Sequence, residues 1–220
     1  MGNVGQGLTL AALVTGLMTG CAAEKADTDG ATGASGASAT TTAKVAKRGG
    51  SVGASGSACE LPVTFDIAEF WKAKGVDAEE ASAATGDLAD LADAFLRQGP
   101  VTMACEVDAK PAGKIGFLRV WTGDPGDTDA RAVLEDFVAA EQGASGARYS
   151  TVKAGDITGT EVAYVTTSEL LEETKQEHAF AVTTSEGPVV LHLGGMDTAE
   201  HEAMLPAYEL AKSTLHTTTG

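Results

Sequence analysis

The chain predicts an α+β fold, an antiparallel β-sheet sandwiched by helices, and three observations carry that reading. Apolar residues alternate with period two in short segments such as Leu61, Val63, Phe65 and Ile67, the mark of half-buried strands. Other segments place apolar residues at helical spacing, as in Val133, Leu134, Phe137 and Val138. Short turns join most of the strands, which pairs neighbours antiparallel.

The first strand spans 61–67, and Phe70 and Trp71 extend or bend it. A helix follows, opened by Asp77 and Glu80 at capping-box spacing, marked by Leu88, Leu91, Phe95 and Leu96, and stopped by Gly99-Pro100. Val101, Met103, Cys105 and Val107 form the next strand; Ile115 to Trp121 pairs with it after the turn at Lys110-Pro111-Ala112-Gly113. Asp124-Pro125-Gly126-Asp127 turns into a second helix that leaves at Gly143. Strands are expected at 147–153, 158–167, 179–184 and 189–193, with 168–176 open between a helical turn and a hairpin tip. Asp197 and Glu200 open a last helix through Met204, Tyr208, Ala211 and Leu215. The order is β-α-ββ-α-ββ-ββ-α.

A chain of 220 residues holds one domain of ordinary size with extensions. Residues 22–57 carry four Lys/Arg against three Asp/Glu, whereas residues 58–220 carry 11 against 28, a balance of −17. A globule this acidic repels phosphate backbones and anionic headgroups, which removes nucleic acid from the expected partners.

Residues 8–18 form an apolar run of about eleven, followed by Met18-Thr19-Gly20-Cys21. Small residues before a cysteine mark a lipoprotein signal peptide over 1–20 with lipid on Cys21. The run is too short to span a bilayer, which takes about 20 apolar residues. Gln6 stands where a myristoylation motif needs Ser or Thr. No Lys or Arg precedes Leu8, so the natural start is expected upstream. Residues 21–57 are Ala, Gly, Ser and Thr with little that is large and apolar, and should form a disordered tether that the folded part, 58–220, does without.

Cys59-Glu60-Leu61-Pro62, Cys105-Glu106-Val107-Asp108, Gly116 to Trp121 and Leu193 to His201 resemble an actinobacterial family of exported lipoproteins with a layout similar to PsbP-like domains. The resemblance covers about 59–216. It implies a curved antiparallel sheet between helices, in a superfamily whose members are mostly binding or assembly modules, and brings no catalytic residue with it.

With Cys21 lipidated, Cys59 and Cys105 are the remaining thiols, and an exported chain oxidises such a pair to a disulfide. Cys105 alternates in phase with Val101, Met103 and Val107, which puts it on their face. Arg119 and Trp121 share parity on one strand and form a candidate ligand patch. Gly194 and Gly195 end a strand before the helix opened by Asp197, where backbone N–H groups can hold an anion, and His201 lies one turn on. His178, His192, His201 and His216 lack metal-ligand spacing, and Asp124, Asp127 and Asp129 fit turn and helix capping better than a calcium loop. No catalytic residue, metal or cofactor is expected. The reading is a lipid-anchored binding or assembly module outside the cell membrane, whose partner is an envelope protein or a lipid; the alternative is a cation-binding or hydrolytic domain.

Overall fold

The computed structural model describes residues 44–77 and 95–218. Cys21 and the signal segment lie outside these residues, as does the helix expected over 77–96 except at its ends, where Phe95 is exposed instead of joining an apolar face. In chain order the elements are β1 Arg48–Val52, β2 Val63–Ala68, β3 Lys72–Gly75, β4 Arg97–Gln98, β5 Val101–Asp108, β6 Gly116–Thr122, α1 Ala130–Ala139, β7 Ala144–Ala154, β8 Ile157–Ser168, β9 Glu173–Thr184, β10 Gly187–Gly195, α2 Thr198–Ser213 and β11 His216–Thr217.

The large sheet runs β3-β5-β6-β10-β9-β8-β7, with β4 on β5, and a small sheet runs β1-β2-β11. Its strand order follows from the connections. Strands β7 to β10 are joined by short turns and form a meander. The α1 segment carries the chain from β6 to β7 at the far edge, so the meander returns β10 to the side of β6. Asp129 caps α1 by accepting from Arg131 N at 2.8 Å, and Asp197 caps α2 by accepting from Glu200 N at 2.8 Å.

Both faces of the large sheet are apolar, because alternate residues of its strands are. On one face Leu118, Val120, Phe180, Leu191 and Leu193 pack with Met204, Tyr208 and Ala211 of α2 and with Val63 and Phe65 of β2. On the other, Trp121, Val162, Ala179, Ala181 and Val190 pack under Val133, Leu134 and Phe137 of α1. Leu134 and Phe137 are fully buried, and each such side chain contributes roughly 1.5–3 kcal/mol relative to exposure. The expected α+β architecture is therefore present, with the small sheet helping α2 to cover its side.

Two differences from the sequence reading have physical causes, and two open points are settled. The expected tether over 21–57 is too long: β1 pairs with β2, Ala46 N donates to Pro206 O, and Glu69 N donates to Lys47 O, both at 2.8 Å. Segment 48–52 has no apolar alternation and buries only Val52, so long-range backbone hydrogen bonds hold it. Residues 46–56 thus belong to the fold. Of the open points, 168–176 is resolved as a hairpin, with 169–172 the tip and 173–176 the start of β9, and Phe70, at φ 68°, makes the bend between β2 and β3.

The second difference concerns β5. Val101, Met103, Cys105 and Val107 do not share a face, since a bulge sets Met103 opposite Trp121 but Cys105 opposite Val120. One extra residue sends every later side chain to the other side of the sheet. Val101 and Met103 join the α1 side, and Cys105 and Val107 the α2 side. There Cys105 forms the expected disulfide with Cys59, their Cα atoms 5.8 Å apart.

Candidate functional site

Beyond the end of α1, the face it covers carries a groove of about 960 Å³ floored by β5, β6, β9 and β10. Four residues of the candidate patch, Arg119, Trp121, Gly194 and Gly195, line it together. Strand register explains the grouping: Arg119 lies between Glu106 of β5 and His192 of β10, and Gly194 between Phe117 of β6 and Glu177 of β9. Arg119 Nε donates to Glu106 Oε2 at 2.9 Å, and its guanidinium lies 4.8 Å from the Phe117 ring centroid. The aromatic beneath Arg119 is therefore Phe117; Trp121 instead packs edge-on against Phe137, with centroids 5.6 Å apart.

Under the groove lies a buried polar group. Glu177 is 1% exposed, with Lys175 Nζ 2.7 Å from its Oε1 and His192 Nε2 3.3 Å from its Oε2. The same His192 nitrogen is 3.1 Å from the Tyr164 hydroxyl, and the ring meets Phe137 edge-on at 5.4 Å. Burial pushes the Glu177 carboxyl up, but the close His192 ring and the Lys175 ammonium more than offset it and hold it below the usual carboxylate range. Burial drives the Tyr164 phenol far above its ordinary value, with Glu141 and Glu177 adding to it. The approach of His192 does not complete a hydrogen bond to Glu177 Oε2, and Trp121 Nε1 also lacks a partner.

Gly194 makes room beside the unpartnered acceptor. A methyl group there would sit 3.4 Å from Glu177 Oε2 and 3.7 Å from His192 Cε1, in ordinary contact. Gly195 answers a different need: a Cβ would come within 2.7 Å of His201 N, so this glycine permits the start of α2 to pack against the strand. The groove lining offers no serine, threonine, tyrosine or free thiol among the described residues. It carries the Arg119 guanidinium over the Phe117 ring, the Lys175 ammonium, the His192 imidazole and the carboxylates of Glu106, Glu141 and Glu177.

Asp197 and His201 are not brought to this floor. Asp197 is the α2 cap, and Glu200, its expected partner in a capping box, accepts from Ile115 N at 3.1 Å instead. His201 is fully buried on the α2 side, its Nε2 2.7 Å from His178 Nδ1 and the two rings stacked at 5.0 Å. Leu193 pairs with His178, so His178 and His192 point to opposite faces. Among the described residues, no three His, Cys, Asp or Glu side chains are arranged to hold a metal ion, and no helix is long and apolar enough to cross a membrane.

The histidine pair makes stability depend on pH. Burial first, then the neighbouring His178, lowers His201 from 6.5 to about 4. The unfolded chain therefore binds this proton more readily than the folded one, and stability falls as pH drops below 6.5, by up to about 3 kcal/mol near pH 4. Urea unfolding at pH 7 and pH 4.5 should show the loss, and His201→Phe should remove much of the difference.

Glu177, Lys175, Tyr164 and Glu106 were not legible as site residues. Glu177 shares parity with the inward Ala179 and Ala181, and that parity is the signal that an acid in a strand is buried.

A family model described as an uncharacterised lipoprotein matches residues 29–215. Among solved structures, the solution structure of cyanobacterial PsbP (CyanoP) from Synechocystis sp. PCC 6803 is similar with a TM-score of 0.44 at 12% identity, over 76% of this chain and 98% of that one. No curated protein matches the chain in sequence.

Proposed function

The chain belongs to that lipoprotein family, and on this premise we propose that it is a membrane-anchored extracytoplasmic binding module, held by lipid on Cys21, that takes a small ligand in the groove beside α1. The observation that carries the reading is Glu177: a carboxylate 1% exposed whose Oε2 makes no hydrogen bond within the chain and has only the His192 ring at 3.3 Å, beside a space that Gly194 leaves open. A buried acceptor without a partner costs about 1–3 kcal/mol, and a ligand hydroxyl or amine seated over Gly194 removes that cost. Trp121, Phe117 and Met103 supply apolar walls, which suits a ligand with an apolar body and a polar group. The cation-binding alternative draws less support, since Asp129 is spent on capping α1 and His201 is buried against His178.

The test is native mass spectrometry of the full-length chain taken from its own membranes in mild detergent. A non-covalent mass should accompany the wild type and be lost from Gly194→Ala, whose methyl fills the floor without displacing the backbone. Equal occupancy in both proteins, or none in either, would sink the groove as the site.

A further inference from the structure

The β8–β9 hairpin presents apolar side chains that the fold does not use. Leu170 is 92% and Leu171 65% exposed, side by side at the tip. Across from them Met196 is 57% exposed, and the three line a cleft of about 1110 Å³ between the hairpin and the start of α2. The tip is a built feature: Leu171 N donates to Ser168 Oγ at 3.3 Å, and Thr167 and Thr174 hydroxyls meet across the hairpin at 3.2 Å. Chain economy favours polar residues at such a turn, so adjacent leucines there call for an occupant.

Charge selects the occupant. Glu141, Glu169 and Glu173 line the cleft and Glu172 stands in the tip, against one ammonium, Lys175, which is engaged by Glu177 at 2.7 Å. The side chains of Glu169, Glu172 and Glu173 make no hydrogen bond or ion pair among the described residues. An anionic bilayer would meet these carboxylates as the leucines entered, and a second copy of the chain would bring like charge to like. A cationic protein segment answers both features at once.

We propose that the β8–β9 tip and the adjoining cleft are a docking surface for a basic protein segment, one that sets an apolar side chain against Leu170, Leu171 and Met196 and places Lys or Arg against Glu169, Glu172 and Glu173. The surface is distinct from the floor over Gly194, so its occupancy does not depend on the small ligand. The full-length chain in detergent micelles is used to select from a random dodecapeptide library, and the selected peptides are then measured against wild type and Leu170→Ser/Leu171→Ser. Both leucines are exposed, and the double variant should unfold at the wild-type temperature. Expected are peptides that combine an apolar anchor with Lys or Arg, that bind the double variant at least about tenfold more weakly, and that weaken as salt is raised. Peptides without a basic bias, or peptides that bind both proteins equally, overturn the proposal. So does binding of the Cys21→Ala chain to phosphatidylcholine or phosphatidylglycerol vesicles, or its self-association in sedimentation, if the double variant loses either.

Discussion

Reduction of the Cys59–Cys105 bond should lower the melting temperature by about 8–16 °C. The bond closes a loop with a sequence separation of 46, for which the chain-entropy estimate is about 4 kcal/mol. At this chain size about 1 kcal/mol moves the midpoint by about 2–4 °C. The two cysteines are also 3% and 0% exposed, so the bond is part of the α2-side core as well as a constraint on the unfolded chain. It ties the segment before β2 to β5, and through β2 the small sheet to the large one. Calorimetry on Cys59→Ala/Cys105→Ala beside the wild type avoids slow access of reductant to a buried bond. A midpoint within a degree or two of the wild type would show that the link contributes little.

His192→Ala should cost about 4 kcal/mol. The ring is 6% exposed and serves three neighbours, the Tyr164 hydroxyl, Glu177 Oε2 and Phe137. Its removal leaves a cavity against Phe137, for which loss of a buried ring costs about 3–5 kcal/mol, and strands the buried Tyr164 phenol, while Lys175 still pairs with Glu177 Oε1. Adding Glu177→Leu to His192→Ala should recover part of the stability, because it removes a buried acceptor oxygen that has no hydrogen bond and fills part of the space the ring left. Urea unfolding of the two variants decides it: a double variant less stable than the single one would contradict this account of the group.

Most of the large sheet was legible because its strands announce themselves locally, by alternation and by turns of the right residues. What was not legible depends on partners distant in sequence. Strand β1 reads Arg48-Gly49-Gly50-Ser51-Val52, a linker by composition, and exists through its pairing with β2. The bulge before Cys105 leaves no mark in the alternation of β5, yet it decides which core the cysteine enters. The pairing of Cys59 with Cys105 followed from compartment chemistry alone, and the geometry came by a different face from the one that alternation implies.

The candidate site divides in the same way. Arg119 and Trp121 share a face because strand parity is a local rule, and Gly194 joins them through the pairing of β10 with β6. His201 was placed near them by its position in sequence, but α2 lies on the opposite face of the sheet and carries it away. Glu177 was missed because the strand was expected to begin at 179, whereas β9 begins at Glu173. Extending the strand by six residues turns an apparent loop acid into an inward-facing one.

The indole N–H of Trp121 gives the most direct reading of whether the groove holds a ligand. The chain has two tryptophans, and they lie on opposite faces of the large sheet: Trp121 beside the groove with its Nε1 unpartnered, and Trp71 in the α2-side core. With ¹⁵N-labelled tryptophan, the spectrum of full-length protein isolated from membranes is compared with that of the same protein unfolded, stripped of small molecules and refolded. The account predicts that the Trp121 indole resonance moves between the two preparations while that of Trp71 stays in place; superimposable resonances for both would contradict it.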